Sequence, residues 1–404
     1  MRPALLDRVG RLTDDDLPAY VYDLSALREH VHTIRAALPE RVELLYAAKA
    51  NSDPRILQVL AGHVDGFEVA SGGELSHVRG LISSAPIAFG GPGKTQAELV
   101  QALDAGVERL HIESEHELLL VSALLGDRLT DVLLRVNLPM DLGQVALAMG
   151  GHPSPFGMDP ERLDRCLELI ASHPGIRLLG VHLHLASGLR AEAQSALVDK
   201  ILTWAEDWAH ERGIDLAEVN VGGGMDVDYA HPHKVFDWSA FGAGLRRILA
   251  RHPHLTLRLE PGRSVTAYCG WYVTQVLDIK FSRGSAFAVL RGGTHHLRTP
   301  AAKLHDQPFE VIPDDAWPRP WDRPEARDEP VTLVGQLCTP KDVLARRVMV
   351  ERLRVGDRIA FAMAGAYAWN ISHHAFLMHP RPTFHHLDDV EASVTGDTYT
   401  HRLS

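Results

Sequence analysis

Cysteine is scarce in this sequence. Cys166, Cys269 and Cys338 are the only three in 404 residues, and their spacing fits neither a disulfide framework nor a metal knuckle. A reducing cytoplasm is therefore the expected compartment. No apolar run approaches the ~20 residues that cross a bilayer, and Met1-Arg2-Pro3-Ala4-Leu5-Leu6-Asp7 lacks the apolar core of a signal peptide. Positive charge is also short: 41 Lys and Arg against 52 Asp and Glu leave a net charge of −11. That balance argues against nucleic acid or an anionic membrane as the natural partner, since both require a basic surface. No glycine fingerprint of the GxGxxG type follows the first strand, which argues against a doubly wound dinucleotide fold, and no internal repeat is present.

What the chain does have is alternation. Strand-like runs at Leu44–Lys49, Gly66–Ala70, Ile87–Gly90, Arg109–Glu113, Val132–Asn137, Leu178–His184, Glu218–Gly222 and Leu255–Glu260 are separated by helical patterns with capping starts. Examples of the latter are Thr95–Ala105, Ser114–Leu125, Asp159–Ser172, Ala191–Arg212 and Trp238–Arg251. Eight strands alternating with helices over about 240 residues predict an α/β fold of the (β/α)8 TIM-barrel type. Residues 1–24 read as short and mixed, with a strand at Ala19–Tyr22. Beyond residue 265, β-branched and aromatic runs at Tyr272–Ile279, Ala286–Leu290 and Val331–Leu337 predict a second, mainly β domain, with Pro313–Pro330 as an exposed loop.

Barrels carry their chemistry at the carboxyl ends of their strands. Here those ends hold Lys49, Glu68, Glu113, Arg135 with Asn137, His182 with His184, Gly222-Gly223-Gly224, and Glu260-Pro261-Gly262-Arg263. Lys49 ends an apolar run, where burial lowers the pKa of an amine and prepares it to condense with a carbonyl; taken alone it reads more readily as a snorkelling surface lysine, and the rest of the chain overturns that reading. The three glycines after the seventh strand and Arg263 after the eighth lie where barrels bind phosphate. A lysine with a phosphate cradle points to pyridoxal 5'-phosphate, with Glu260 opposite the ring nitrogen and His184 flat on the ring. His182 and His184, two apart on one strand, also permit a metal pair, but no third ligand is apparent.

The segments Tyr46-Ala47-Ala48-Lys49-Ala50-Asn51, Glu68-Val69-Ala70-Ser71, His182-Leu183-His184, Asn220-Val221-Gly222-Gly223-Gly224, Glu260-Pro261-Gly262-Arg263, Gly335-Gln336-Leu337-Cys338 and Gly365-Ala366-Tyr367 resemble the fold-type III ornithine/diaminopimelate decarboxylases. The resemblance covers nearly the whole chain in order. It implies an alanine-racemase-like barrel over residues 25–265 and a β domain formed by 1–24 plus 266–404. It also implies a homodimer with shared active sites. By motif position, Lys49 is the Schiff-base lysine and His184 the ring-stacking residue. Gly222, Gly223, Gly224, Arg263 and Tyr367 bind phosphate, Glu260 faces the ring nitrogen, and Glu74 lies near the Schiff base. Cys338 arrives from the partner subunit as proton donor; the residue type alone reads equally as a small buried hydrophobe.

One departure bears on substrate. An acid that recognises a distal ammonium usually follows this cysteine in ornithine and diaminopimelate enzymes, whereas here Thr339-Pro340-Lys341 follows and Asp342 comes only later. The segments Gly292–Arg298 and Ala364–His374 resemble the subgroup that decarboxylates siderophore intermediates such as citryl-diaminopropionate. A related branch acts on carrier-bound aminoacyl groups. The expected substrate is therefore an amino acid conjugated to an anionic carrier, met by Thr339, Arg298, His295, His296, His373 and Arg381. Alternatives are decarboxylation of ornithine-, lysine- or diaminopimelate-like acids and a non-catalytic pyridoxal-phosphate carrier. The roughly 140 residues after Arg263 argue against the carrier, and the absence of a catalytic tyrosine motif argues against a racemase.

Overall fold

The computed structural model describes residues 1–140, 147–148, 150–303 and 305–388. They form two compact units: 28–227 with 235–265, and 1–27 with 228–234 and 266 onward. Residues 389–404, which the expected β domain includes, lie outside the described residues.

The first unit is a closed barrel of eight parallel strands in chain order: β2 (Val42–Ala47), β3 (Gly66–Val69), β4 (Ile87–Phe89), β5 (Arg109–Ile112), β6 (Thr130–Arg135), β7 (Ile176–His182), β8 (Glu218–Asn220) and β9 (Thr256–Leu259). All eight expected runs are strands, each ending one or two residues sooner than its apolar run, because the terminal residues turn out into loops. β9 closes on β2 through the Leu257↔Val42 register. Helices cover the outside, so strands such as Ile87-Ala88-Phe89 are fully buried on both faces and read as unbroken apolar runs.

Helix starts are set by side chains that accept orphan N–H groups. Asp53 caps Pro54–Ala61, Ser71 caps Gly72–Leu81, Ser114 caps Glu115–Leu125 and Asp237 caps Trp238–Leu249. Thr95 and Glu98 form a reciprocal capping box for Gln96–Asp104.

The amino-terminal end of the barrel is closed by charge. Arg258, 1% exposed, reaches Glu43 at 2.7 Å, Glu108 at 3.1 Å and Glu218 at 3.4 Å. Arg109 grips both Glu218 oxygens at 2.7 and 2.8 Å. A guanidinium fits here because its fork satisfies several carboxylates at once.

The second unit is a mixed sheet. β1 (Ala19–Asp23) lies between β10 (Gly270–Ser282), antiparallel with Tyr20 opposite Tyr272, and β16 (Thr383–Leu387), parallel with Tyr20 opposite Phe384. The other strands are β11 (Ser285–Leu290), β12 (Phe309–Ile312), β13 (Glu325–Val334), β14 (Val343–Arg354) and β15 (Arg358–Phe361). Two expectations need correction. Residues 3–11 form a helix, whose Leu5 and Val9 pack with Val21, Val273 and Ala360; the apolar stripe is too short to stand out in the sequence. The loop expected over Pro313–Pro330 ends early, since Glu325–Pro330 already pairs with β14. Among the described residues, no helix is long and apolar enough to cross a membrane.

Breaking a buried ion cluster by removing one partner leaves an uncompensated charge. Arg258→Met should therefore lower the unfolding free energy by about 3 kcal/mol, measured by urea denaturation. A loss below about 1 kcal/mol would mean that the cluster is effectively solvated.

Candidate active site

At the opposite, carboxyl-terminal end of the barrel the side chains are also polar, but arranged differently. Lys49 stands on the one-turn 3-10 helix Ala48–Ala50 that follows β2, and its amine is ion-paired with Glu68 of β3. The Lys49 side chain is 44% exposed and that of Glu68 only 6%. The sequence reading expected an amine whose pKa burial lowers; the structure instead sets the amine against a carboxylate at an open mouth. Glu74 accepts the Ala70 N–H at 2.8 Å, and burial, then the nearby Glu68, raise its carboxyl above the usual range. Glu74 thus lies close enough to Glu68 and Lys49 to feel both charges.

Barrel closure brings the last strand's loop onto the Lys49 turn. Ala47 N donates to Pro261 O at 3.2 Å, and a Cβ on Gly262 would stand 2.7 Å from the Ala50 Cβ. Glycine is required there by contact. Glu260, just beyond β9, is buried and accepts from Asn220 Nδ2 at 2.7 Å. Burial, and next the Glu68 carboxylate, push its carboxyl up to about 7.

The turn after β8 is built against His184. Gly222 N donates to Asn220 Oδ1 at 2.8 Å, and Gly223 N donates to His184 Nδ1 at 3.1 Å. Gly222 has φ 67°, and a Cβ there would lie 2.2 Å from His184 Nδ1. Two of the three glycine N–H groups expected at a phosphate are therefore engaged within the site. Burial, then Arg135 and Lys49, hold His184 down at about 3, so its ring is neutral. Arg263 opens the short helix Arg263–Thr266 directly after Gly262 and is half-buried.

One group that the strand ends do not single out, His111, joins the expected Arg135 in completing the mouth. His111, inward on β5, packs its ring 4.3 Å from that of His182. Arg135 donates to Glu113 at 2.6 Å and stacks over Phe156. The two-residue alternation Arg109, His111, Glu113 is the signal for His111, since all three face the barrel interior only if one does. The third partner missing from a His182–His184 metal pair exists in another form: His111, His182 and Glu260 bring ligand atoms within 4.8 Å of one another.

The remaining candidates belong to the second unit. Cys338 is exposed, in contrast to the buried Cys166 and Cys269, so the reading of it as a buried hydrophobe is overturned. Its loop is tied down by Asp342, which accepts Leu337 N at 2.8 Å, Thr294 N at 2.6 Å and Thr294 Oγ1 at 2.8 Å. Thr339 is half-buried, and Arg298, His373 and Arg381 are exposed. The expected substrate contacts His295 and His296 are instead fully buried. His296 is committed to Tyr272 OH at 3.1 Å and Pro380 O at 3.0 Å. Tyr367 is half-buried, with φ 48° and its carbonyl accepting from Thr299 Oγ1.

The residues of the barrel mouth fit pyridoxal phosphate. Lys49 offers an amine for the aldehyde, Glu260 a buried acid, and His184 a flat neutral face. The glycine turn has space that a single Cβ would fill. These features define a pyridoxal-phosphate-binding barrel.

A family model described as pyridoxal-dependent decarboxylase, pyridoxal binding domain, matches residues 24–267. The chain belongs to that family, whose members use pyridoxal phosphate, and it is a decarboxylase. It is 39% identical to the 2-[(L-alanin-3-ylcarbamoyl)methyl]-2-hydroxybutanedioate decarboxylase of Staphylococcus aureus, over 92% of this chain and 94% of the relative. It is 29% identical to the L-glutamyl-[BtrI acyl-carrier protein] decarboxylase of Niallia circulans, over 91% and 88%. A solved diaminopimelate decarboxylase from Helicobacter pylori, complexed with L-lysine, superposes with TM-score 0.80 at 26% identity, covering 95% of this chain and 94% of that one.

The raised value of Glu260 makes a stability statement. A glutamate titrating near 7 in the fold and near about 4.3 unfolded stabilises the fold by binding its proton. That gain is complete below the unfolded value and is lost as pH rises through the folded one. Taking cofactor-free protein from about pH 4.3 to about pH 8 should therefore cost wild type about 3 kcal/mol more than Glu260→Gln, in urea unfolding at each pH. Identical pH dependence of the two proteins would contradict a buried, proton-binding Glu260.

Proposed function

We propose that this decarboxylase acts on an α-amino acid moiety carried by an anionic, citrate-bearing molecule of the siderophore-precursor type. The observation that carries this reading is the loop after Cys338. Thr339 stands where an amine-binding acid is usual in similar enzymes, and the acid further on, Asp342, is buried and accepts three hydrogen bonds. A second substrate ammonium would find no available carboxylate on this loop, and an unpaired buried charge is costly. Arg298, Arg381 and His373 instead suit carboxylates. The Staphylococcus aureus relative, a decarboxylase of a hydroxybutanedioate, supports the same reading.

When bound, pyridoxal phosphate supplies an electron-withdrawing ring that accepts the electron pair left as the carboxylate departs as CO2. Lys49 would hold the cofactor by its aldehyde. Glu260 keeps a proton at the ring nitrogen, His184 packs on the ring face, and Glu74 lies near Lys49. Gly222, Gly223, Gly224, Arg263 and Tyr367 hold the phosphate end, the first two chiefly by shaping the turn. Cys338 or Lys49 returns a proton to the α-carbon.

We further place Cys338 of the partner subunit at each mouth, in a cytoplasmic homodimer of barrels spanning 25–265 and β domains of 1–24 plus 266–404. The strip Ile371, Phe376, Leu377 and Met378, from 37% to 91% exposed, supports an additional protein surface over this region.

Mass-spectrometric detection of CO2 loss across citryl-diamino acids, free ornithine, lysine and diaminopimelate, and carrier-bound aminoacyl groups tests the substrate. Turnover of the citryl conjugate is expected, and Thr339→Glu should lower its kcat/KM about tenfold by like-charge repulsion without impairing diaminopimelate. Efficient turnover of free diamino acids with none of carboxylate-bearing conjugates would replace this reading. Mixing inactive Lys49→Ala and Cys338→Ala chains should restore activity, because one of the two mouths in a heterodimer regains both wild-type residues. Failure to recover activity under demonstrated subunit exchange would exclude the shared site.

A further inference from the structure

Two side chains beside Glu260 have no task in the reaction described above. His111 and His182 are 0% and 4% exposed, and their rings are tilted 40° to one another. Among the described residues, none of their four ring nitrogens has a hydrogen-bond partner. Buried polar atoms without partners are rare, since an orphaned donor or acceptor forfeits its hydration with nothing in return. Both rings nevertheless turn Nε2 toward one group: His182 lies 3.5 Å from Glu260 Oε2, and His111 3.9 Å from Oε1.

Glu260 is the mirror image of this condition. A buried carboxylate has room for several donors, and among the described residues only Asn220 Nδ2 bonds to it. The other groups that face it divide by sign. Glu68 opposes its ionisation, while Lys49 and Arg135 favour it. Burial comes first among the causes that keep both imidazoles neutral at working pH. Each ring then carries one N–H, and with no other partner to choose the tautomer, a carboxylate draws that proton to Nε2.

We propose that His111 and His182 are positioning residues for Glu260, a pair of neutral imidazoles whose Nε2–H groups hold the carboxylate ionised and aimed at the ring nitrogen of the cofactor. The inference rests on the placement of Glu260 toward that nitrogen proposed above. Neutrality matters to the arrangement. An imidazolium at either position would compete with the protonated ring for the carboxylate, whereas a neutral imidazole donor supports both. The same three groups, two imidazoles and a carboxylate, form a donor set of the kind that binds zinc. Zinc there would occupy the Nε2 lone pairs and exclude the proposed role.

The test compares pyridoxal phosphate with its 1-deaza analogue, in which carbon replaces the ring nitrogen. Dissociation constants are measured by fluorescence on reconstitution of wild type, His111→Phe, His182→Phe and His182→Gln, with circular dichroism as the check on folding. Wild type should prefer pyridoxal phosphate. Each Phe variant should weaken pyridoxal phosphate about tenfold to a hundredfold while leaving the analogue within about twofold, and His182→Gln, which keeps a donor and a polar core, should retain most of the preference. Equal losses for both compounds, or no loss for either, overturn the positioning role. Stoichiometric zinc in purified wild type that is lost from His182→Phe also overturns it. If wild type itself binds the two compounds alike, the failure lies with the placement of Glu260 rather than with the pair.

Discussion

Closure of the last barrel strand on the first is the constraint on which everything else depends. Strands β9 and β2 are more than 200 residues apart in sequence, yet their pairing through Leu257 and Val42, with Ala47 bonded to Pro261, sets both ends of the barrel at once. At one end it draws Glu43 and Arg258 into the same ion cluster. At the other it puts Glu260 within electrostatic reach of Lys49 and Glu68. Alternation makes this possible, since Arg258 and Glu260 are two apart and share the inward face. The structural arginine and the functional acid thus share one strand run, separated by a single apolar residue.

The two ends use charge for different purposes. Around Arg258 the carboxylates outnumber the cation and hold it with several hydrogen bonds, which favours permanence. Around Glu260 the close neighbours are neutral imidazoles, one amide and a second carboxylate, with Lys49 and Arg135 within electrostatic reach, and the group is left titratable near neutrality. A site that must exchange protons needs such partial satisfaction, and the ion cluster at the opposite end of the barrel supplies the rigid floor that makes it tolerable. The second unit shows the same economy. Asp342, the acid that comes only later in the sequence after Cys338, organises the loop that displays Cys338 and ties it to the Gly292–Arg298 turn.

Much of this was legible without coordinates. The eight strand runs, the serine, threonine and aspartate caps and the polar residues at strand ends are local patterns, and local propensity with period-two burial determines them. Lys49, His184, the glycine turn and Glu260 all lie where their strand ends predicted. The short helix over residues 3–11 and the early start of β13 were less legible, because each depends on packing against residues distant in sequence.

The sequence by itself therefore determined the barrel, the cofactor class and the set of residues that could line the mouth, since each follows from pattern and residue type. Only the tertiary structure decided which of them pair. It set Lys49 against Glu68 and turned Gly223 N–H inward to His184. It buried His295 and His296 while leaving Cys338 exposed. It also brought the unheralded His111 beside His182 and Glu260. The physical reason is that pairing and burial arise from distances between residues far apart in the chain. Those distances exist only once the barrel has closed.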